Sequence, residues 1–179
     1  MIRALSRFFR HHLWREDGTA TIEFVIVVPV VMSVFVAAVE AGFFMTKRAL
    51  LERGLDLVIR EVRLGNVTDI TGANRLRELV CAATPIMADC EDTLRVEMRL
   101  ISTLNFNIPS DPPECIDRSS DTKLDDAITP GGSHEIMLVR VCAVQDPMFP
   151  STGLGLQMQR NAGGGYQMAA ASVFVNEPQ

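Results

Sequence analysis

The longest apolar stretch of the chain lies between Gly18 and Met45. From Phe24 to Met45 the only charged residue is Glu40, and Ser33 is the only strongly polar side chain before Val39. A helix rises about 1.5 Å per residue, so this stretch is long enough to cross a hydrocarbon core of about 30 Å. The pattern therefore predicts a transmembrane helix over residues 19–45.

Beyond Met45 the apolar positions narrow to a stripe on one helix face. Its members are Leu51, Leu55, Val58, Ile59 and Val62. The pairs Arg48/Glu52 and Asp56/Arg60 are four residues apart with opposite charge, which stabilises a helix. Gly65-Asn66 is a plausible stop. We therefore expect residues 46–64 to extend the helix into a packed domain.

The remaining chain alternates short periodic segments with irregular ones. Ala73–Ala83 has the spacing of a short helix. Thr93–Ser102 alternates apolar with charged residues and predicts a strand with one dry and one wet face. Ile136–Val144 predicts a central strand and Tyr166–Val175 a final one. Long loops are expected over the intervening segments, 103–132 and 145–165.

These elements predict an α+β fold. A long N-terminal transmembrane helix continues into a small domain with a short helix and an antiparallel sheet of three or more strands. The expected domains are a leader at 1–18, the membrane helix at 19–45 and an α+β domain at 46–179.

The leader carries four arginines against two acids, a charge of +2, while the whole chain carries −5. This leaves −7 for the rest, and an acidic chain without a basic patch argues against nucleic acid as a partner. A secretory signal is a competing interpretation of the basic start. The apolar run is longer than an ordinary signal core, and Glu40 interrupts its small-residue stretch.

The predicted membrane helix contains two acidic residues, which is unusual. Glu23 lies at the threshold of the apolar run and Glu40 near its far end, and an ionised group at the centre of a bilayer costs about 2.5–3.5 kcal/mol. Glu40 is either solvated near the outer headgroups or part of a helix–helix contact in an assembly.

The start of the helix resembles a type IV prepilin processing site, in which a basic leader ends in Gly and Glu is the fifth mature residue. Gly18, Thr19 and the Glu23-Phe24 pair occupy those places. With Pro29 inside the helix and Glu40/Gly42 near its end, the segment 15–64 is more specifically similar to TadE-type minor pseudopilins of the tight-adherence (Flp) pilus.

This resemblance implies cleavage after Gly18 by a prepilin peptidase and assembly through the helix. The implied partners are the inner membrane, the peptidase, other Tad pilins and the pilus assembly machinery. It places Glu23 opposite the new N-terminal amine of a neighbouring subunit. The N-terminus would lie in the cytoplasm and the C-terminal domain in the periplasm.

All four cysteines follow the apolar run, which fits disulfides in an oxidising compartment. Four cysteines allow three pairings. The favoured one joins Cys81 to Cys90 and Cys115 to Cys142. Buried free thiols are an alternative, and a zinc site lacks the usual ligand spacing.

No cofactor, metal or catalytic residue is expected. The acidic residues between Asp111 and Asp126 lack the spacing of a calcium loop, and the three histidines form no evident triad. Three function classes remain: a processed pseudopilin, an uncleaved single-span envelope protein with a partner-binding periplasmic domain, and an exported enzyme. The last lacks a catalytic constellation.

Overall fold

A computed structural model describes residues 19–67, 73–119, 127–129, 131–151, 155 and 164–176. The predicted leader with Gly18 and part of the acidic loop lie outside these residues. In chain order the elements are helix α1 (Thr19–Arg63), helices α2 (Ala73–Ala83) and α3 (Cys90–Thr93), and four strands. The strands are β1 (Leu94–Ile101), β2 (Ala127–Ile128), β3 (Ile136–Gln145) and β4 (Tyr166–Val175).

Helix α1 is a single element of 45 residues, about 67 Å long. It ends as the sequence predicts, because Gly65 adopts the left-handed conformation with φ 71°. The Gly65 amide donates to the Val62 carbonyl and the Asn66 amide to the Glu61 carbonyl. This Schellman arrangement satisfies carbonyls that the last turn would otherwise leave unpaired.

The sheet has the order β2-β1-β3-β4. Strands β1, β3 and β4 form the predicted antiparallel sheet, and β3 lies at its centre. Strand β2 pairs parallel to β1 over two residues inside the segment predicted as a loop. Two residues are too short to produce a detectable period, so the sequence pattern gives no sign of β2.

One face of the sheet packs on the second half of α1 and on α2. The predicted stripe is buried as expected, with Leu51 and Leu55 at most 1% exposed. It meets Val96, Val139 and Met168 from the sheet. Gly54 lets α2 come close, because a Cβ at this position would lie 2.5 Å from Cγ2 of Thr84.

The other face of β1 is only in part the wet face that the alternation predicts. Arg95 is 9% and Glu97 7% exposed, because the segment after β1 folds back over them. Glu114 binds Arg95 at 2.7 Å, and the Asp111 carbonyl accepts from Arg140 at 2.6 Å. The prediction is therefore wrong for Arg95 and Glu97, where the sheet is covered on both sides, and right for Arg99, whose side chain is exposed.

Two disulfides tie the irregular segments to the fold. Cys81 pairs with Cys90 and joins the end of α2 to α3, with Cα atoms 5.6 Å apart. Cys115 pairs with Cys142 and fastens the segment over β1 to the outer face of β3, with Cα atoms 5.1 Å apart. These are the pairs that the sequence favoured, and no cysteine is free.

Candidate functional site

The first half of α1, up to Phe35, is an apolar surface that the rest of the described chain does not cover. The helix is long and apolar enough to cross a membrane, and its most apolar window is unburied. Phe24 is 65% and Val34 65% exposed. Exposure of so many apolar side chains to water is unfavourable, so this surface is expected to be covered by lipid or by other helices.

Within this surface the polar groups are few and locally arranged. The Ser33 hydroxyl donates to the Val30 carbonyl at 2.7 Å, so it needs no partner from lipid. Pro29 lies inside the helix, which continues on both sides of it. Ser33 thus presents no unsatisfied donor to an apolar environment.

Glu23 stands at the start of the helix, next to Phe24, and both side chains are exposed. No ion pair or hydrogen bond joins the Glu23 side chain to another described residue. Its carboxylate is therefore available to a partner outside the described part of the chain. Thr19 is the first residue of α1, and Gly18 lies outside the described residues.

Glu40 lies at the opposite end of the exposed surface and is only 2% exposed. Its Oε1 accepts a hydrogen bond from the Met148 amide and its Oε2 one from the Phe149 amide, each at 3.0 Å. Backbone donors thereby replace water around the carboxylate. The solvated alternative for Glu40 is wrong, because the loop after β3 closes over it.

A second group of contacts joins the same end of the sheet to α1. Phe44 packs edge-to-face on Tyr166, with ring centroids 5.2 Å apart. Lys47 donates to the Gln145 side chain at 3.2 Å and lies 6.0 Å from the Tyr166 ring centre. Burial, and then the nearby charges of Glu40 and Asp146, raise the pKa of Tyr166. The sheet is thus fixed to the helix just beyond the apolar surface.

Gly42 is not packed against any residue that the structure describes. A Cβ added there would meet nothing within 4 Å. Its carbonyl accepts from the Thr46 hydroxyl at 2.8 Å, and the residue is exposed. A glycine on an open helix surface permits close approach of a second helix.

The sequence of this helix can be compared with the sequences of known protein families. Residues 18–56 match the family described as TadE-like protein. The N-terminal segment is TadE-like. This match confirms, over residues 18–56, the TadE-type resemblance seen in the sequence.

The TadE-like match covers Glu23, Phe24, Pro29, Glu40 and Gly42 but ends within α1. No curated protein and no solved structure matches the chain. The sheet and its loops lie beyond the TadE-like segment, so their roles are inferred from the geometry of this chain alone.

The other candidate chemistry is sparse. Among the described residues no group of three or more His, Cys, Asp or Glu is placed to hold a metal ion. His134 lies in a turn with φ 65°, where its backbone amide donates to the Asn176 carbonyl. His11 and His12 lie outside the described residues.

Glu40→Ala is expected to release the loop at Met148 and Phe149 from α1. Each amide loses its acceptor, and an unsatisfied buried donor costs about 1–3 kcal/mol. Hydrogen exchange at the two amides in the full chain should therefore become faster by one to two orders of magnitude. Glu52→Ala is the matched control, because Glu52 is exposed and its bond to Arg48 is a surface pair. Unchanged protection of both amides in Glu40→Ala would show that Glu40 does not hold the loop.

Proposed function

We propose that this TadE-like chain is a minor pseudopilin-like component of a Tad pilus. In this proposal a prepilin peptidase cleaves after Gly18, and the mature protein assembles through α1. The observation that carries the proposal is the division of α1 into two halves. The second half is buried by the chain's own sheet, whereas the first half, with Glu23 at its start, is left uncovered.

The exposed half fits two successive environments. Before assembly, lipid would surround the apolar surface, with the helix crossing the inner membrane. After assembly, the helices of other Tad pilins would replace the lipid, and Gly42 offers one place for close approach. The same surface serves both because each environment is apolar.

Glu23 supplies the charged contact in this proposal. Cleavage before Thr19 creates an ammonium group at the start of the mature chain. In a bundle of such helices, the Glu23 carboxylate of one subunit would neutralise the ammonium of its neighbour. A carboxylate that lacks a partner among the described residues is suited to this role, because an unpaired charge is costly in a low-dielectric assembly.

The disulfides support the proposed orientation. Both lie in the domain that follows the membrane helix, and disulfides persist in oxidising compartments such as the periplasm. The N-terminal residues would then remain in the cytoplasm, where the basic leader meets the anionic membrane face.

Gly18→Val is expected to abolish cleavage. A β-branched side chain at the scissile bond obstructs a peptidase that accepts glycine in an extended conformation. Gel mobility of the chain, expressed with and without the prepilin peptidase, would show only the full-length form for this variant.

Gly42→Val is the matched control, because it makes the same substitution at an exposed glycine with open space around it. It should be processed like the natural chain. Normal processing of Gly18→Val would contradict cleavage at this site. If the natural chain also stays full-length with the peptidase present, the protein is an uncleaved single-span envelope protein.

A further inference from the structure

The loop after β3 lies beside α1 at the boundary between its exposed and buried halves. Gln145 ends the strand, and the following residues approach the helix so closely that Met148 and Phe149 donate to Glu40. Residues 147–151 are thus held to α1, the helix that is proposed to cross the membrane. We call residues 147–151 the boundary loop.

Burial along α1 shows that the cover extends past Glu40 toward the apolar run. Val36, Ala37 and Val39 are partly buried, whereas the five residues before Val36 are exposed. Four residues of helix correspond to about 6 Å. Ala38, between them, is exposed, so the cover past Glu40 is partial and reaches about one turn into the segment that lipid would surround.

The polar and apolar groups around the loop are separated. Asp146 forms two bonds to Arg118, at 2.6 and 2.9 Å, and Gln145 binds Lys47. These charges precede the boundary loop. The loop itself has the sequence PMFPS, and no charged residue follows before Arg160. Met148 is apolar and 53% exposed.

The hydrogen bonds of Glu40 also fit an apolar surrounding. A loop at membrane depth must satisfy its backbone donors within the protein, because lipid offers no acceptor. Glu40 accepts from two successive amides of the boundary loop, and these amides in turn screen the carboxylate from lipid. Prolines at 147 and 150 flank the pair, and proline has no amide hydrogen to satisfy.

We propose that the boundary loop is a second membrane contact, seated in the outer interface of the bilayer beside α1 with Met148 directed to lipid. The inference rests on α1 crossing the membrane, as in the proposed function. In this arrangement Glu40 accepts the hydrogen bonds of two backbone amides of a loop that lies in the membrane interface. With the loop and helix both in contact with the bilayer, the sheet would be held in a fixed orientation relative to the membrane.

The test uses tryptophan fluorescence of the full chain in phosphatidylcholine vesicles. The chain has a single tryptophan, so Trp14→Phe provides a silent background. Met148→Trp reports on the boundary loop. Phe35→Trp reports on the span, and Phe106→Trp reports on an exposed segment at the opposite end of the sheet; Phe35 and Phe106 are both 60% exposed.

Two quenchers are compared: phosphatidylcholine brominated at shallow acyl positions, and aqueous acrylamide. The proposal expects brominated lipid to reduce Met148→Trp emission and to leave Phe106→Trp unchanged. Acrylamide should quench Phe106→Trp more strongly than Met148→Trp. Emission from Met148→Trp should also be blue-shifted relative to Phe106→Trp.

The Phe35→Trp variant distinguishes failure of the boundary-loop inference from failure of the proposed membrane span. If lipid quenches Phe35→Trp but not Met148→Trp, the boundary loop faces water or another protein, and the inference is overturned while the membrane span stands. If lipid fails to quench Phe35→Trp as well, α1 does not cross the bilayer, and the proposed function fails with it.

Discussion

Glu97→Ala is expected to lower the free energy of unfolding of the full chain, with its disulfides intact, by about 3–5 kcal/mol. Glu97 lies on β1 opposite Arg140 of β3, and each side chain is 9% exposed. The Glu97 Oε2 accepts from the Arg140 Nη2 at 2.6 Å and from its Nε at 3.1 Å. Arg99 is a second partner of Glu97. Removing the carboxylate leaves a buried guanidinium without its counter-charge, which is the source of the large loss.

Removing both partners should restore much of that stability. The double variant Glu97→Leu/Arg140→Met leaves no buried charge at this position and fills similar volume, and such replacements are often neutral. Arg75→Ala is the control, because its pair with Glu78 is exposed and should contribute about 0.5 kcal/mol. Denaturant unfolding in detergent micelles measures all three. A loss for Glu97→Ala no larger than that for Arg75→Ala would contradict a buried, coupled pair.

The same pair shows where sequence reasoning reached its limit. The alternation along β1 correctly predicted a strand and the burial of Leu94, Val96 and Met98, because packing against α2 imposes a period of two. Leu100, predicted on the same face, is 44% exposed because it lies near the far end of the strand. The outer face was misjudged, since an alternating charged residue looks solvated unless a distant segment covers it. One usable signal was present: Arg140 and Cys142 are two residues apart and share a face. A disulfide from Cys142 to Cys115 therefore brings the loop over Arg140 and its neighbours.

The helices were more predictable than the loops because their determinants are local. The end of α1 follows from Gly65 and the bounds of α2 from its apolar spacing. The contact of Glu40 with Met148 and Phe149 joins residues more than a hundred positions apart, and no local pattern encodes it. When its partner is distant in sequence, an acid at the end of an apolar run is interpreted either as solvated or as part of a contact with another helix.

Glu40 and Glu23 of α1 thus differ in whether the rest of the chain binds them. Glu40 is occupied by its own chain, so a substitution there should first alter the boundary loop. The Glu23 side chain has no bond to any described residue, so a substitution there should leave the fold unchanged. This difference makes Glu23 the cleaner probe of assembly.

Glu23→Ala is expected to leave membrane insertion and peptidase cleavage intact while abolishing association with neighbouring pilin helices. Insertion should persist because removal of a charge makes the segment more apolar. Association should fail because the N-terminal ammonium of the neighbouring subunit would lose its counter-charge in a low-dielectric bundle. Breaking one half of a buried pair costs about 3–5 kcal/mol, enough to dissociate a weak complex between membrane helices.

The measurement is co-purification with the major pilin, together with pilus number per cell, at equal membrane abundance. Glu23→Gln keeps the shape of the side chain without its charge, so it should fail nearly as badly as Glu23→Ala. Glu52→Ala removes an exposed acid from the buried half of the same helix and should assemble normally. Unchanged pull-down and piliation in Glu23→Ala would mean that the carboxylate is incidental. The function would then reside in the domain built around the sheet, and the exposed half of α1 would be an anchor only.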